Sequence, residues 1–123
     1  MLELDEHEKE SLKSAYTKEK IESLQKSAEQ GDAEAQYQLG NYYAFDDDKK
    51  SVEYYTMAAE HDHAAAMYYL ASCYAGGKGI TKDEEKAIQL WMKSAELGNA
   101  DAQFSVGFLF SGAKDYQTAK YWF

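Results

Sequence analysis

There is no proline anywhere in this chain, and only one cysteine. Without proline, nothing in the sequence removes a backbone donor inside an element, so uninterrupted helices are permitted throughout. The lone Cys73 excludes an internal disulfide, and it leaves the redox compartment open. Positive charge is short as well: 13 basic side chains stand against 22 acidic ones, for a net charge of −9. A field of that sign repels a phosphate backbone and an anionic bilayer surface, so neither nucleic acid nor membrane is expected as a partner. Long apolar runs are missing too, since no stretch approaches the roughly 18 residues that a membrane span requires. The opening MLELDEHEKE has neither the basic start nor the apolar segment of a signal peptide. A cytoplasmic protein is therefore expected, unless a leader has been trimmed.

What is present is helix-forming and aromatic. The 123 residues are 45% hydrophobic and include 11 tyrosines, enough for one folded domain. Alanine is abundant, and it loses no side-chain entropy in a helix. The chain also repeats itself. SAEQGDAEAQYQLGNYY (residues 27–43) recurs as AAEHDHAAAMYYLASCY (58–74) and again as SAELGNADAQFSVGFLF (94–110). Anchored on Ala28, Ala59 and Ala95, the copies lie 31 and 36 residues apart and align without gaps over 17 positions.

Each copy reads as part of a helix pair. The first helix begins after Gly31-Asp32, His63 or Gly98-Asn99, where Asp or Asn can cap free amides. It carries a stripe such as Ala35, Leu39 and Tyr43 at i, i+4, i+8. Gly40, Ala71 and Gly107 share one position, which suggests that a neighbouring helix comes close there. The second helix is expected over 49–60, 82–96 and from Asp115 to the end, with Tyr54, Tyr55, Trp91, Trp122 and Phe123 on its apolar side. Gly31 and Gly98 sit where that helix must stop and turn back, in a left-handed conformation that Asp62 must adopt in the middle copy. Before the first copy, Leu12 and Tyr16 repeat the Leu39/Tyr43 spacing, and Thr17 can cap a helix holding Ile21, Leu24 and Ala28. The expected organisation is a helical cap or worn repeat over 1–26, then units at about 27–58, 59–94 and 95–123, all in one domain.

These residues resemble Sel1-like repeats, relatives of the tetratricopeptide repeat. The middle unit supplies the family's marks in order: Leu70-Ala71 with Tyr74, Gly77-Lys78-Gly79-Ile80, Asp83, Lys86-Ala87 and Trp91. The match covers about 27–123 and recurs in register. It implies an all-α fold, a right-handed α-α superhelix (solenoid) of helix-turn-helix repeats, in a family whose members mostly act as adaptors in protein complexes. Departures are clear. The first unit has Asp46-Asp47-Asp48 where the Gly-x-Gly segment belongs, and Ala71 stands where glycine is usual. Lone Cys73 sets the chain apart from the branch with a cysteine pair in every repeat.

Each stretch that resembles chemistry has a plainer explanation. Gly76-Gly77-Lys78-Gly79-Ile80-Thr81 has the wrong order for a Walker loop, follows a helix and not a strand, and has sister loops without its chemistry. It reads as a glycine C-cap, a flexible turn and an acidic helix start. His61-Asp62-His63 occupies a turn position, so a solvated turn is expected and not a zinc pair. Asp46 to Asp48 precede two lysines without a shaping glycine, which suits helix capping better than a cation loop. Cys73 has no histidine predicted beside it. No catalytic, cofactor or metal residue is expected, and the protein is read as no enzyme.

A surface remains. Glu34, Tyr37 and Asn41 share one side of the first helix, opposite Leu39, and their equivalents are Ala65, Tyr68 and Ser72, then Asp101, Phe104 and Phe108. The resemblance places first helices on the concave side of the solenoid, which would make these residues a partner-binding row. The rings at 37, 68 and 104 either form an interface ladder or pack between repeats. The expected function is non-catalytic binding of a protein or peptide on that face, with a basic partner favoured by charge. The alternatives are an immunity or inhibitor protein that neutralises a basic toxin or enzyme, and a structural fragment of a longer repeat scaffold.

Overall fold

A computed structural model of the chain describes residues 5–13 and 16–112, and within these it is helical with no strand. The described helices are α1 (Glu6–Lys13), α2 (Lys18–Glu29), α3 (Ala33–Tyr43), α4 (Asp48–Glu60), α5 (Ala64–Gly76), α6 (Glu84–Glu96) and α7 (Ala100–Gly112). The helix expected from Asp115 onward, with Trp122 and Phe123, lies outside the described residues, as does the side chain of Leu12.

Local chemistry sets the helix ends. Thr17, Asp32, Asp47, Asp83 and Asn99 each accept a backbone N–H of the following turn through a side-chain oxygen, which satisfies donors that a helix start leaves open. Gly31 and Gly98 turn the chain at φ +90° and +97°, and Asp62 takes the same role at φ +58°. Asp62 is the only non-glycine residue among those described with positive φ. It therefore carries a cost its two sister turns avoid.

Each helix packs on the next in sequence, α2 on α3 through to α6 on α7, so the units stack side by side as a solenoid. The core is divided along that stack. Ala28, Ala35 and Leu39 close the joint between α2 and α3, with Ile21, Leu24 and Tyr43 around them. Val52, Tyr55, Ala58, Ala66, Met67 and Leu70 fill the space between α4 and α5. Ala95, Ala102 and Val106 join α6 to α7. Small residues at these seams let the backbones come close. At Gly40 a Cβ atom would stand 2.5 Å from ring carbons of Tyr55, so the absence of a side chain is what admits the ring.

Two of the joints carry the same amide clamp. Gln36 Nε2 donates to the Ala28 carbonyl at 3.0 Å, and Gln103 Nε2 donates to the Ala95 carbonyl at 3.1 Å. The middle copy has the thioether of Met67 at that position, so the Ala59 carbonyl receives no such bond.

Candidate functional site

The residues of the first-helix row occupy three kinds of environment. On α3, Glu34 accepts a hydrogen bond from His63 Nε2 at 2.7 Å, and Asn41 Oδ1 accepts from the Tyr55 hydroxyl at 2.6 Å. Tyr37 is half-buried: its ring stacks on the His63 imidazole at 4.5 Å and lies 6.1 Å from Tyr69. On α5, Tyr68 packs against the Ala95–Ala102–Val106 cluster and meets Tyr69 edge-on at 5.2 Å, while Ser72 donates to the Tyr68 carbonyl. Tyr37 and Tyr68 thus help hold neighbouring helices together. On α7, Asp101 is exposed, and Phe104 and Phe108 present 65% and 69% of their surface to solvent. They stand one turn apart on one face of the helix.

His63 departs from the solvated turn expected for the His61–His63 triplet. Its side chain is only 16% exposed. Nδ1 accepts the Ala66 N–H at 3.1 Å and so caps α5, which leaves the ring proton on Nε2, facing Glu34. One side chain therefore caps α5, ties it to α3 and supports the Tyr37 ring. Substitution separates these roles. His63→Asn retains a capping oxygen and His63→Ala does not, so the alanine variant should lose about 1 kcal/mol more stability in urea denaturation. Equal losses would show that the cap contributes nothing there.

The glycine-rich connection is also more constrained than a flexible turn. Gly77 caps α5 in the left-handed region at φ +66°, and the Asp83 N–H closes the loop by donating to the Tyr74 carbonyl at 2.9 Å. Gly79, at φ +76°, lies so close to the Asp48 backbone that any Cβ would collide with it. Lys78 Nζ is 3.9 Å from Asp48 Oδ1. The loop of the second unit is thereby fitted against the start of the first unit's second helix.

Between α3, α4 and α5 this arrangement leaves a cavity of about 390 Å³. Asn41, Ala44 and Phe45 come from the end of α3, Ser51 and Tyr55 from α4, and Tyr69, Ser72 and Cys73 from α5. Asp48 and Lys78 stand at its exposed side. Burial pushes the Tyr55 phenol far above its ordinary range, and it also raises Tyr69 and the Cys73 thiol, the last against the opposing charge of Lys78. The lining is therefore neutral around Tyr55, Tyr69 and Cys73, with one carboxylate and one ammonium beside it. Of these residues, only Asn41 and Ser72 belong to the row picked out from sequence. Phe45 carried an available signal, because both sister units have glycine at its position (Gly76 and Gly112). Tyr69 and Lys78 carried none, since only the fold brings them beside α3.

Among the described residues no group of three or more His, Cys, Asp or Glu side chains gathers as a metal site, and no helix is long and apolar enough to cross a membrane.

Comparison with known proteins agrees with the repeat geometry. A rat protein, DAP3-binding cell death enhancer 1, is 31% identical over 74% of this chain and 18% of its own length. Chitin synthase regulatory factor 4 of Schizosaccharomyces pombe is 32% identical over 84% of this chain and 17% of its own. The chain thus spans less than a fifth of the length of these curated relatives. The solved Sel1 repeat protein of Oxalobacter formigenes superposes with a TM-score of 0.78 at 33% identity, covering 85% of this chain and 46% of that one. The family model for the Sel1 repeat matches three consecutive segments, 33–63, 64–99 and 100–123, and the chain belongs to the Sel1 repeat family.

Proposed function

We propose that this protein is a non-catalytic interaction module of the adaptor kind, binding a protein or peptide on the face formed by α3, α5 and α7. The observation that carries this reading is the pair of exposed rings on α7. Phe104 and Phe108 sit at the positions that Tyr37 and Asn41 hold on α3, yet they remain open to solvent. Aromatic side chains at the centre of an interface supply large contact area for little lost freedom, which is why they recur as anchors. The helical stack is formed in advance, so little ordering entropy opposes binding. The net charge of −9 steers basic partners toward it. The Schizosaccharomyces pombe relative named as a regulatory factor is in keeping with this reading. We read the segment before the first unit as a helical cap or worn repeat, a reading supported by Ile21 and Leu24 of α2, which pack against the Ala28, Ala35 and Leu39 cluster.

The structure changes which substitutions test the reading. Removing Tyr37 or Tyr68 would also remove packing between helices, so a loss of binding there would be ambiguous. Phe104→Ser with Phe108→Ser alters exposed positions only. The double variant should keep the wild-type circular dichroism spectrum and unfolding midpoint. Compared side by side on affinity resin, it should fail to retain the proteins that wild type retains. Identical retention by a folded double variant would refute the α7 face as the binding surface.

A further inference from the structure

We infer that the cavity between α3, α4 and α5 is an anchor pocket for one large aromatic side chain of a basic peptide, an inference that rests on the interaction-module reading and names the chemistry of its ligand.

Three observations carry it. First, the three hydroxyls of Ser51, Ser72 and Tyr55 in the wall already donate to partners within the protein. Ser51 Oγ donates to the Gly40 carbonyl at 2.7 Å, Ser72 Oγ to the Tyr68 carbonyl at 3.2 Å, and the Tyr55 hydroxyl to Asn41 Oδ1 at 2.6 Å. Those three hydroxyl protons are therefore not available to a ligand, and an acceptor group placed against them would lose its water and gain no donor from them. Around those hydroxyls the wall is mainly carbon, chiefly the rings of Phe45, Tyr55 and Tyr69, with Tyr55 and Tyr69 stacked at 5.8 Å and 18°. Rings of this kind favour another ring in offset or edge-on contact. Second, the size suits a side chain. A volume of 390 Å³ lies at the small end of the range for ligand pockets, roughly 300–1,000 Å³, so it holds a ring with adjoining atoms but not a folded element. Third, the fixed polar groups suit a peptide. The bond from Tyr55 holds the Asn41 carboxamide by its Oδ1 and leaves the Nδ2 hydrogens for a carbonyl on the occupant. Among the described residues the Lys78 ammonium has the long 3.9 Å contact to Asp48 as its one ion pair, so it offers a second donor at the opening. The net charge of −9 selects a peptide of opposite sign.

The experiment selects random twelve-residue displayed peptides on the immobilised full chain, then measures the strongest as labelled synthetic peptides by fluorescence anisotropy. The expected peptides are basic and share one large aromatic residue, and replacing that residue with alanine weakens binding about tenfold or more. Ala44→Phe, which fills the cavity from the end of α3, should weaken binding by a similar factor. Ser72→Phe fills it from α5 and serves if the first variant does not fold. Bound peptide should also slow alkylation of Cys73, which lines the same cavity. Peptides that bind wild type and the filled variants equally, leaving Cys73 unprotected, would overturn the pocket while the α7 face keeps its separate test in Phe104→Ser/Phe108→Ser. Failure to enrich any aromatic peptide would overturn it as well. So would indole alone protecting Cys73 as effectively as the peptide, because the site would then be one for small molecules.

Discussion

Leu39→Ala lowers the free energy of unfolding by about 2–5 kcal/mol, as large-to-small changes at fully enclosed sites do. Leu39 has no exposed surface, and it packs with Ala28 and Ala35 where α2 meets α3. Alanines on either side cannot expand into the space its side chain leaves, so collapse around the cavity is limited. Folded domains of this size hold only about 5–15 kcal/mol in reserve, so this single change removes a large share. Because α3 also packs on α4, the loss should not stay within one joint. Urea denaturation followed by helical circular dichroism gives the measurement. A loss below about 1 kcal/mol would mean that the α2–α3 joint contributes little to the fold.

Gly40→Ala should also destabilise, against the usual trend. In a helix interior the exchange ordinarily gains about 1 kcal/mol, because glycine has more backbone freedom to lose. Here the added methyl would stand 2.5 Å from the Tyr55 ring. That ring cannot step aside easily: it is buried, and its hydroxyl is held by Asn41 on the same helix as Gly40. Overpacking of this kind costs about 1–3 kcal/mol, which outweighs the backbone gain. The partner can be tested directly. With Tyr55→Leu in place, Gly40→Ala should lose its penalty and approach the ordinary gain, a coupling that a double-mutant cycle reads out. An unchanged penalty beside leucine would show that some other contact excludes the methyl.

The repeat, the helix pairs of its first two units and the caps were readable because they depend on nearby residues. Asp32 caps α3 through amides two and three positions later, and Gly31 needs only its own φ. Thr17 and Asp47 follow the same logic. Side-chain surroundings were not readable in the same way. Spacing places Tyr37 and Phe104 at one position of the repeat, yet the first stacks on His63 and the second is exposed. What covers a helix face depends on the neighbouring unit, and that unit differs from copy to copy. His63 looked like a turn residue because its partner Glu34 lies 29 positions earlier. The cavity was hidden for a similar reason: Phe45 and Lys78 belong to connections of different units, and only the stacking of those units brings them to one place.

The missing amide clamp at Met67 has a mechanical consequence. In a linear stack each unit touches mainly its neighbours, so deformation gathers where the coupling is most compliant. The outer joints are tied by directional bonds from Gln36 and Gln103, whereas the middle joint has at that position the thioether of Met67, which adapts to changes in spacing, within the apolar cluster of Val52, Tyr55, Ala58 and Leu70. By that difference alone, the joint between α4 and α5 is expected to yield first when the array bends. Tyr55 and Tyr69 stand on opposite sides of that seam and face each other across the cavity wall. Bending at this joint would therefore change the separation of those two rings, and with it the width of the opening between them.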